Sequence, residues 1–226
     1  MWIKKPQLIK SRGFFILNTM KIFIISLFPE MFENYLNSSM LFKAQKIKAV
    51  SFEYVNLRDF GIGPRKTVDD KPYGGGDGML LMIEPLHKAI NKAKTKSPNA
   101  KVVIFTPKGK NYLQSEAKEL SAQKNDLILI CPRYEGYDER VTNWVDLSYS
   151  IGNYILTGGE LPAMVLIDSV VRLLPNVLGG ETSKEIESFY DDDQTVEFPQ
   201  YTRPEVYKNL SVPEILLSGK LKMNVS

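Results

Sequence analysis

The sequence predicts an α/β protein built around a mostly parallel β-sheet. Short apolar and β-branched runs alternate along the chain with stretches of helical spacing, and most of the loops between them are short. The runs at 20–27 and 101–105 are apolar at nearly every position, as in strands that are covered on both faces. Alternation of this kind is typical of βαβ units, so we expect helices on the faces of the sheet.

The elements follow one another in a regular order. Strands are predicted at 20–27, 51–57, 101–105 and 126–131. Apolar residues at helical spacing predict helices at 29–36, 40–47, from Pro85 to Ala93, near 111–122 and from Glu160 to Leu174. Pro85 is expected at the first position of its helix, and the turn Thr106–Gly109 is expected to end the third strand. The segment 61–78 is expected to be a loop.

The composition is that of one folded domain with at most a short appendage. The chain has 226 residues, of which 43% are hydrophobic, against roughly 150 residues in an average domain. The net charge is +3, but the first 19 residues contribute four cations and no acid. Residues 20–226 hold 25 basic and 26 acidic side chains, so a strongly basic nucleic-acid footprint is excluded. Any polyanionic partner must bind a local patch.

Cysteine and histidine are almost absent. Cys131 is the only cysteine and His87 the only histidine, so an intrachain disulfide is excluded and zinc enzymes and Ser-His-Asp hydrolases are disfavoured. We predict no metal ligands and assign His87 no functional role. The lone cysteine fits a reducing compartment, and we expect a cytoplasmic protein.

The N-terminal stretch imitates a signal peptide without completing the pattern. Asn18, Thr19 and Lys21 interrupt its apolar run, and no small-residue cleavage site follows. No run reaches the roughly 18 apolar residues that a membrane span needs, so we expect a soluble protein. Because Met20 stands directly before the first strand, residues 1–19 are interpreted as an extension, either a misassigned start or a basic targeting arm.

The composition changes after the last long helix. The stretch 181–197 holds seven acids in seventeen residues and one lysine, Lys184. We therefore divide the chain into an extension (1–19), a main domain (20–180), an acidic linker (181–200) and a C-terminal remnant (201–226) that is too short for its own core.

Three loops have compositions that suit ligand binding. The glycine-rich loop 72–78 lacks the Gly-Lys-Ser/Thr of a phosphate-binding loop, and a flexible turn is its structural alternative. The turn 132–140 follows a strand and carries two tyrosines, a carboxylate and cations, which suits a purine, although a solvated charged turn fits equally. The stretch 150–162 interleaves glycines with apolar residues and could wrap an adenosine with backbone groups. In the helix after it, Asp168 and Arg172 share a face, where a surface ion pair is the alternative.

These motifs together resemble bacterial tRNA (guanine-N1)-methyltransferases, which methylate N1 of guanine 37, next to the anticodon. The resemblance covers about residues 20–219 in order. It is carried by the following segments: Leu27–Phe32, Val68–Gly76, Arg133–Gly136, Ile151–Pro162, Leu166–Val170 and Tyr201–Pro204.

The resemblance implies a SPOUT-type α/β domain with a C-terminal trefoil knot, followed here by a short, truncated helical tail. It also implies a homodimer whose active site forms across the dimer, S-adenosylmethionine as methyl donor, a magnesium requirement and tRNA as substrate. By carry-over, the cofactor-binding residues are Phe105, Thr106, Pro107, Gly109, Pro132, Tyr134, Glu135, Gly136, Ile151, Gly152, Asn153, Tyr154, Ile155, Leu156, Gly158 and Gly159.

The resemblance also implies roles in catalysis and substrate binding. Glu187 aligns with the family's aspartate general base, and Arg172 would lie near O6 of the guanine. The substrate-binding residues implied are Glu135, Asp168, Glu197 and Arg203. Such a set suits the reaction, because N1 becomes nucleophilic as a carboxylate removes its proton, and a cation stabilises the charge that develops on O6.

Three departures from the family pattern bear directly on function. Glu187 replaces an aspartate, which lengthens the side chain by one methylene. Pro132 stands where the family has glycine, which removes a backbone donor and predicts weaker cofactor binding. Residues 220–226 do not continue the family's C-terminal domain, which predicts weaker tRNA binding.

The sequence therefore predicts an S-adenosylmethionine-dependent enzyme that methylates N1 of guanine 37 in tRNA. The alternative is a catalytically impaired knotted dimer that binds the cofactor or RNA without turnover. A third interpretation is a related methyltransferase that acts on another RNA position.

Overall fold

A computed structural model describes residues 19–123, 125–178, 187–189 and 192–217. The chain divides into two compact units, Met1–Ser183 and Lys184–Ser226. The expectation about the N-terminal extension falls on residues 1–18, which lie outside the described residues. Every helix in the described parts of the chain is too short or too polar to cross a lipid bilayer.

The elements of both units are named in chain order. The strands are β1 (Met20–Ser26), β2 (Val50–Asn56), β3 (Asp69–Asp70), β4 (Leu80–Leu81), β5 (Lys101–Asn111), β6 (Leu127–Ile130), β7 (Leu147–Ser150), β8 (Val206–Tyr207) and β9 (Leu210–Ser211). The helices are α1 (Glu33–Leu36), α2 (Ser39–Lys46), α3 (Ile83–Lys96), α4 (Gln114–Gln123), α5 (Glu160–Val171) and α6 (Glu214–Leu217).

The first unit is an α/β domain around a parallel sheet, as the sequence predicted. Five strands pair in the order β2-β1-β6-β5-β7, and every pair in this sheet is parallel. The central strand β6 is buried at all four of its positions. Its unbroken apolar sequence, Leu-Ile-Leu-Ile, follows from this burial, because both faces of the strand pack against other elements.

Helices cover both faces of the sheet. Apolar side chains of α1, α2, α4 and α5 pack on one face together with Ile22, Ile24 and Leu129. The other face packs against α3 together with Phe23 and Ile128. Alternate residues of the same strand thus enter opposite cores, as the period of two of a β-strand requires.

The third strand does not end where the sequence predicted. Instead of stopping at Thr106–Gly109, β5 continues to Asn111 with an irregularity between Phe105 and Lys110, and both ends of this irregularity pair with Tyr149 of β7. Gly109 allows the close crossing, because a Cβ there would lie 2.6 Å from the carbonyl carbon of Tyr149. The strand β7 was not predicted, since its four residues are too few for a clear pattern.

Helix boundaries differ from the predictions by a few residues. Pro85 is the third residue of α3 rather than the first, because the helix starts at Ile83. Helix α4 begins at Gln114, and α5 ends at Val171, with Arg172 as its C-terminal cap.

The second unit contains more β-structure than the predicted helical tail. Strands β8 and β9 form an antiparallel hairpin, and α6 has four residues. Lys208 and Asn209 connect the two strands at φ 47° and 64°, as in the type I′ turn that favours hairpins. Two-residue strands show no alternation, so the sequence did not reveal this hairpin.

Candidate functional site

A cavity of about 360 Å³ opens in the first unit at the carboxyl ends of β5, β6 and β7. Its walls come from residues 105–108, from the turn after β6 and from the glycine-containing loop between β7 and α5. Ligand sites of α/β proteins lie at this edge of the sheet, and the volume falls within the roughly 300–1,000 Å³ of small-molecule pockets.

The structure brings most of the predicted cofactor residues together in this cavity. Fourteen of the sixteen line it, although they come from three separate segments of the chain. They are Phe105, Thr106, Pro107, Pro132, Tyr134, Glu135, Gly136, Ile151, Gly152, Tyr154, Ile155, Leu156, Gly158 and Gly159. Gly109 and Asn153 lie outside the lining, Gly109 at the crossing of β5 and β7 and Asn153 on the exposed surface.

Eight residues of the lining are not among the sixteen cofactor residues that the resemblance implies. They are Lys108, Arg133, Tyr137, Glu139, Tyr149, Ser150, Thr157 and Pro162. Six of them lie in the segments 132–140 and 150–162, which the sequence indicated as suited to ligand binding, and Lys108 directly follows Pro107. Tyr149 required strand β7, which the sequence did not show.

The turn after β6 is held in a strained conformation. Tyr134 has φ of 60°, a left-handed conformation that costs energy for a residue other than glycine. The amide of Glu135 donates to the carbonyl of Met79 at 3.0 Å, and that of Gly136 donates to Arg133 at 3.2 Å. The Tyr134 phenol lies beside Asp69 and Arg58, and burial, reinforced by the Asp69 carboxylate, raises its pKa.

Glu135 packs directly against the glycine-rich loop. A Cβ on Gly78 would lie 2.4 Å from Cγ of Glu135 and 3.1 Å from its carboxylate oxygen Oε1. Gly78 also has φ of 86°, which favours glycine. The absence of a side chain at Gly78 therefore determines where the Glu135 carboxylate can lie. At this residue the loop has a structural role beyond that of a flexible turn.

The floor of the cavity is fixed by a buried tyrosine. The Tyr149 hydroxyl donates to Oε2 of Glu116 at 2.7 Å, and Lys110 contacts the other oxygen of that carboxylate. Burial and this hydrogen bond raise the pKa of Tyr149. The phenol thus stays protonated at neutral pH and serves as a donor that fixes the ring.

Cys131 is not suited to act as a nucleophile. It is buried at the end of β6, and burial, with the Glu160 carboxylate nearby, raises the pKa of its thiol well above the usual value. Reactive cysteines require the opposite, a lowered pKa and exposure.

Asp168 and Arg172 lie on α5 and do not line the cavity. Oδ2 of the exposed Asp168 accepts a hydrogen bond from the Tyr35 hydroxyl at 2.8 Å. Burial, followed by this hydrogen bond, raises the pKa of Tyr35. Asp168 is therefore held in a defined position at the surface of the first unit.

Glu187, Glu197 and Arg203 belong to the second unit. There the amide of Glu197 donates to Oγ of Ser188 at 3.1 Å, so the chain next to Glu187 is joined to Glu197. Between these two residues, Asp192 accepts hydrogen bonds from the amides of Gln194 and Thr195, each at 2.7 Å. Arg203 is exposed.

The described residues do not form a metal site of their own. Among them, no three His, Cys, Asp or Glu side chains lie close enough to hold an ion.

Comparison with known proteins relates this architecture to one family. Residues 20–224 match the family described as tRNA (Guanine-1)-methyltransferase TrmD. A tRNA (guanine-N(1)-)-methyltransferase of Carboxydothermus hydrogenoformans is 52% identical over 204 residues, which are 90% of this chain and 79% of the relative. The corresponding protein of Geobacillus kaustophilus is 49% identical over 88% of this chain and 81% of its own length.

A solved structure agrees with these sequence relatives. The crystal structure of tRNA (m1G37) methyltransferase from Aquifex aeolicus matches with a TM-score of 0.75 and 37% identity, over 91% of this chain and 86% of that one. The fold and the cavity define an α/β protein with a small-molecule site at the edge of its sheet. The chain belongs to the tRNA (guanine-N1)-methyltransferase family.

The contact between Gly78 and Glu135 yields a prediction. We expect Gly78→Ala to slow methyl transfer by up to about 100-fold, because a displacement of order 1 Å in an active site can cost that much. Gly74→Ala is the matched control, since Gly74 has nearly the same φ, 89° against 86°, but nothing within 4 Å of its added Cβ. The measurement is the single-turnover rate of methyl transfer to tRNA. Equal rates for the two variants would contradict a role for this contact.

Proposed function

We propose that the protein transfers a methyl group from S-adenosylmethionine to N1 of guanine 37 in tRNA. The observation that carries the proposal is the cavity at the carboxyl ends of β5, β6 and β7, in a chain that belongs to the tRNA (guanine-N1)-methyltransferase family. Because the proposed substrate is tRNA, we also propose that the protein acts in the cytoplasm.

The volume of the cavity, about 360 Å³, lies within the range of small-molecule sites and is compatible with a cofactor such as S-adenosylmethionine. Glycines 136, 152, 158 and 159 stand in its walls, and glycine-containing loops let a ligand approach the backbone closely. Gly136 has φ of 122° and open space where a Cβ would stand. When bound, the cofactor supplies an electrophilic methyl group on a sulfonium. The role of the surrounding residues is to bind and orient it and to exclude water.

Methylation of the guanine requires a group that accepts its N1 proton and a group that stabilises the charge on O6, and carboxylates and cations of the chain can fill these roles. We propose that Glu187 accepts the proton from N1 and that Arg172 stabilises the charge on O6. Glu135, Asp168, Glu197 and Arg203 are proposed to bind the guanine and its tRNA. The magnesium requirement that the family resemblance implies is proposed for this protein as well, and none of these residue roles depends on it.

Two features support the proposed trefoil knot. Strand β5 passes through an irregular segment between Phe105 and Lys110 and then continues beside β7. The amide of Gly159 donates to the carbonyl of Pro132 at 2.8 Å, so the loop before α5 is attached to the turn after β6. Loops crossing this closely are what a knotted arrangement of the chain would require.

The proposed homodimer rests on the position of Arg172. Pro162 lines the cavity near the start of α5, and Arg172 lies ten residues further, about 15 Å along the helix axis. An arginine at that distance is better placed to serve the cavity of a second copy than its own. On α5, Leu161 and Val165 are 51% and 46% exposed and share one face, which a second copy would cover.

Single-turnover transfer of labelled methyl from S-adenosylmethionine to an unmodified tRNA transcript tests the proposed function. We expect transfer to the transcript that carries guanine 37 and none to a matched transcript with adenine there. Absence of transfer at saturating cofactor would instead indicate a binding protein without turnover. Transfer to both transcripts would indicate a different target nucleotide.

Glu187 is expected to be the general base. Glu187→Ala should slow single-turnover transfer at least about 100-fold, the lower range for loss of general-base catalysis, and leave cofactor affinity unchanged. Glu187→Asp, which keeps the carboxylate, should retain transfer. The control is Glu205→Ala, which removes an exposed acid of the same unit. An unchanged rate in Glu187→Ala would mean that another group accepts the proton.

The dimer can be disrupted through its proposed interface. Val165→Asp should give a monomer in sedimentation velocity and abolish methyl transfer, because a carboxylate would be buried against apolar surface. Ile62→Asp, which places the same charge on an exposed residue outside α5 and the cavity, is the control. A monomeric wild-type protein would contradict the proposal, and so would a dimeric Val165→Asp variant.

A further inference from the structure

An ion pair in the cavity wall, between the half-buried Arg133 and the buried Glu160, joins three segments of the first unit. Nε of Arg133 is 2.9 Å from Oε2 of Glu160, and the two side chains are 17% and 1% exposed. The other oxygen of Glu160 accepts a hydrogen bond from Ser26, the last residue of β1, at 2.7 Å. The pair thus links the turn after β6, the start of α5 and the end of β1.

Protein groups surround the Arg133 guanidinium. Nη1 donates to the carbonyl of Thr157 at 3.2 Å, and Nη2 lies 3.2 Å from the sulfur of Met31. The ring of Phe28 lies against the flat side of the group, 4.6 Å from Cζ. Each nitrogen has a protein atom within 3.2 Å, which places Arg133 to hold the wall of the cavity.

The two loops that the pair joins are packed too closely for side chains between them. A Cβ on Gly158 would lie 2.4 Å from Nε of Arg133 and 2.6 Å from Oε2 of Glu160. A Cβ on Gly159 would lie 2.6 Å from Cδ of Pro132. A shift of Arg133 or Glu160 would therefore move the backbone at 157–159, which lines the cavity.

Net stability does not explain a pair of this kind. Burying two charges costs about as much free energy as their attraction returns, so an apolar pair of similar volume often stabilises a fold equally well. What the pair adds is position: Nη1 of Arg133 donates to the carbonyl of Thr157, while Nε lies against the Glu160 carboxylate as a charge contact rather than a hydrogen bond. Glu160 is also the first residue of α5, where the helix dipole favours a negative charge.

We propose that Arg133 and Glu160 are positioning residues that hold the loops 132–136 and 157–159 in the geometry that binds the cofactor. The inference rests on the proposed function, because the cofactor in question is S-adenosylmethionine. Glu160 lies outside the cavity lining, and Arg133 is in the lining with its nitrogens against protein atoms. Their effect reaches the cofactor through the backbone of the two loops.

The test measures the affinity of the full-length protein for S-adenosylhomocysteine by calorimetry. Arg133→Lys keeps the charge but loses the fork, and Glu160→Gln keeps the shape but loses the charge. We expect each variant to raise the Kd at least about tenfold. We expect the Kd of the double variant to be no higher than that of the single variant with the higher Kd, since the effects of residues that act as one unit are not additive.

A control separates positioning from stability. Ile90→Ala removes buried volume from α3, outside the cavity lining, and should lower the melting temperature without changing the Kd. If the pair were merely structural, its variants would behave like Ile90→Ala, with lower melting temperatures and an unchanged Kd, and that result would overturn the inference. Wild-type protein that binds no S-adenosylhomocysteine and transfers no methyl group would instead overturn the proposed function, and the positioning role with it.

Discussion

Parallel pairing of the five central strands places all their carboxyl ends at one edge of the sheet, and the cavity depends on this constraint. The constraint is maintained by burial: β6 is covered at every position, and its neighbours β1 and β5 send alternate side chains into two separate cores. Segments near residues 106, 134 and 155 are far apart in sequence. They nevertheless line one cavity, because β5, β6 and β7 end side by side.

Close approach of backbones is the second requirement of the site. At Gly109, Gly158 and Gly159 an added Cβ would lie 2.4 to 2.6 Å from another part of the chain. Because these glycines have no side chain, the backbone of each can lie directly against another part of the chain. The buried pair of Arg133 and Glu160 occupies the same region, so tight packing and fixed charge act together on the cavity wall. Both would limit the motion of the loops that we propose to bind the cofactor.

The groups proposed for the reaction are not all found in the cavity of the first unit. Glu135 lines the cavity, whereas Arg172 lies near the far end of α5 and Glu187 belongs to the second unit. This distribution suits an enzyme whose substrate is itself large. A tRNA can contact several surfaces at once, so binding energy far from the guanine can serve to orient it.

The sequence by itself determined the α/β class, the main strands and most of the cavity residues. Apolar runs such as Leu127–Ile130 are local signals of a doubly covered strand, and the motifs around Glu135 and Gly152 carry the family resemblance. Only the tertiary structure decided that β5 continues past Gly109, that β7 lies beside β5, and that Arg133 pairs with Glu160. These features join residues that are distant in sequence. Local periodicity holds no information about such contacts, because they follow from the order of strands in the sheet.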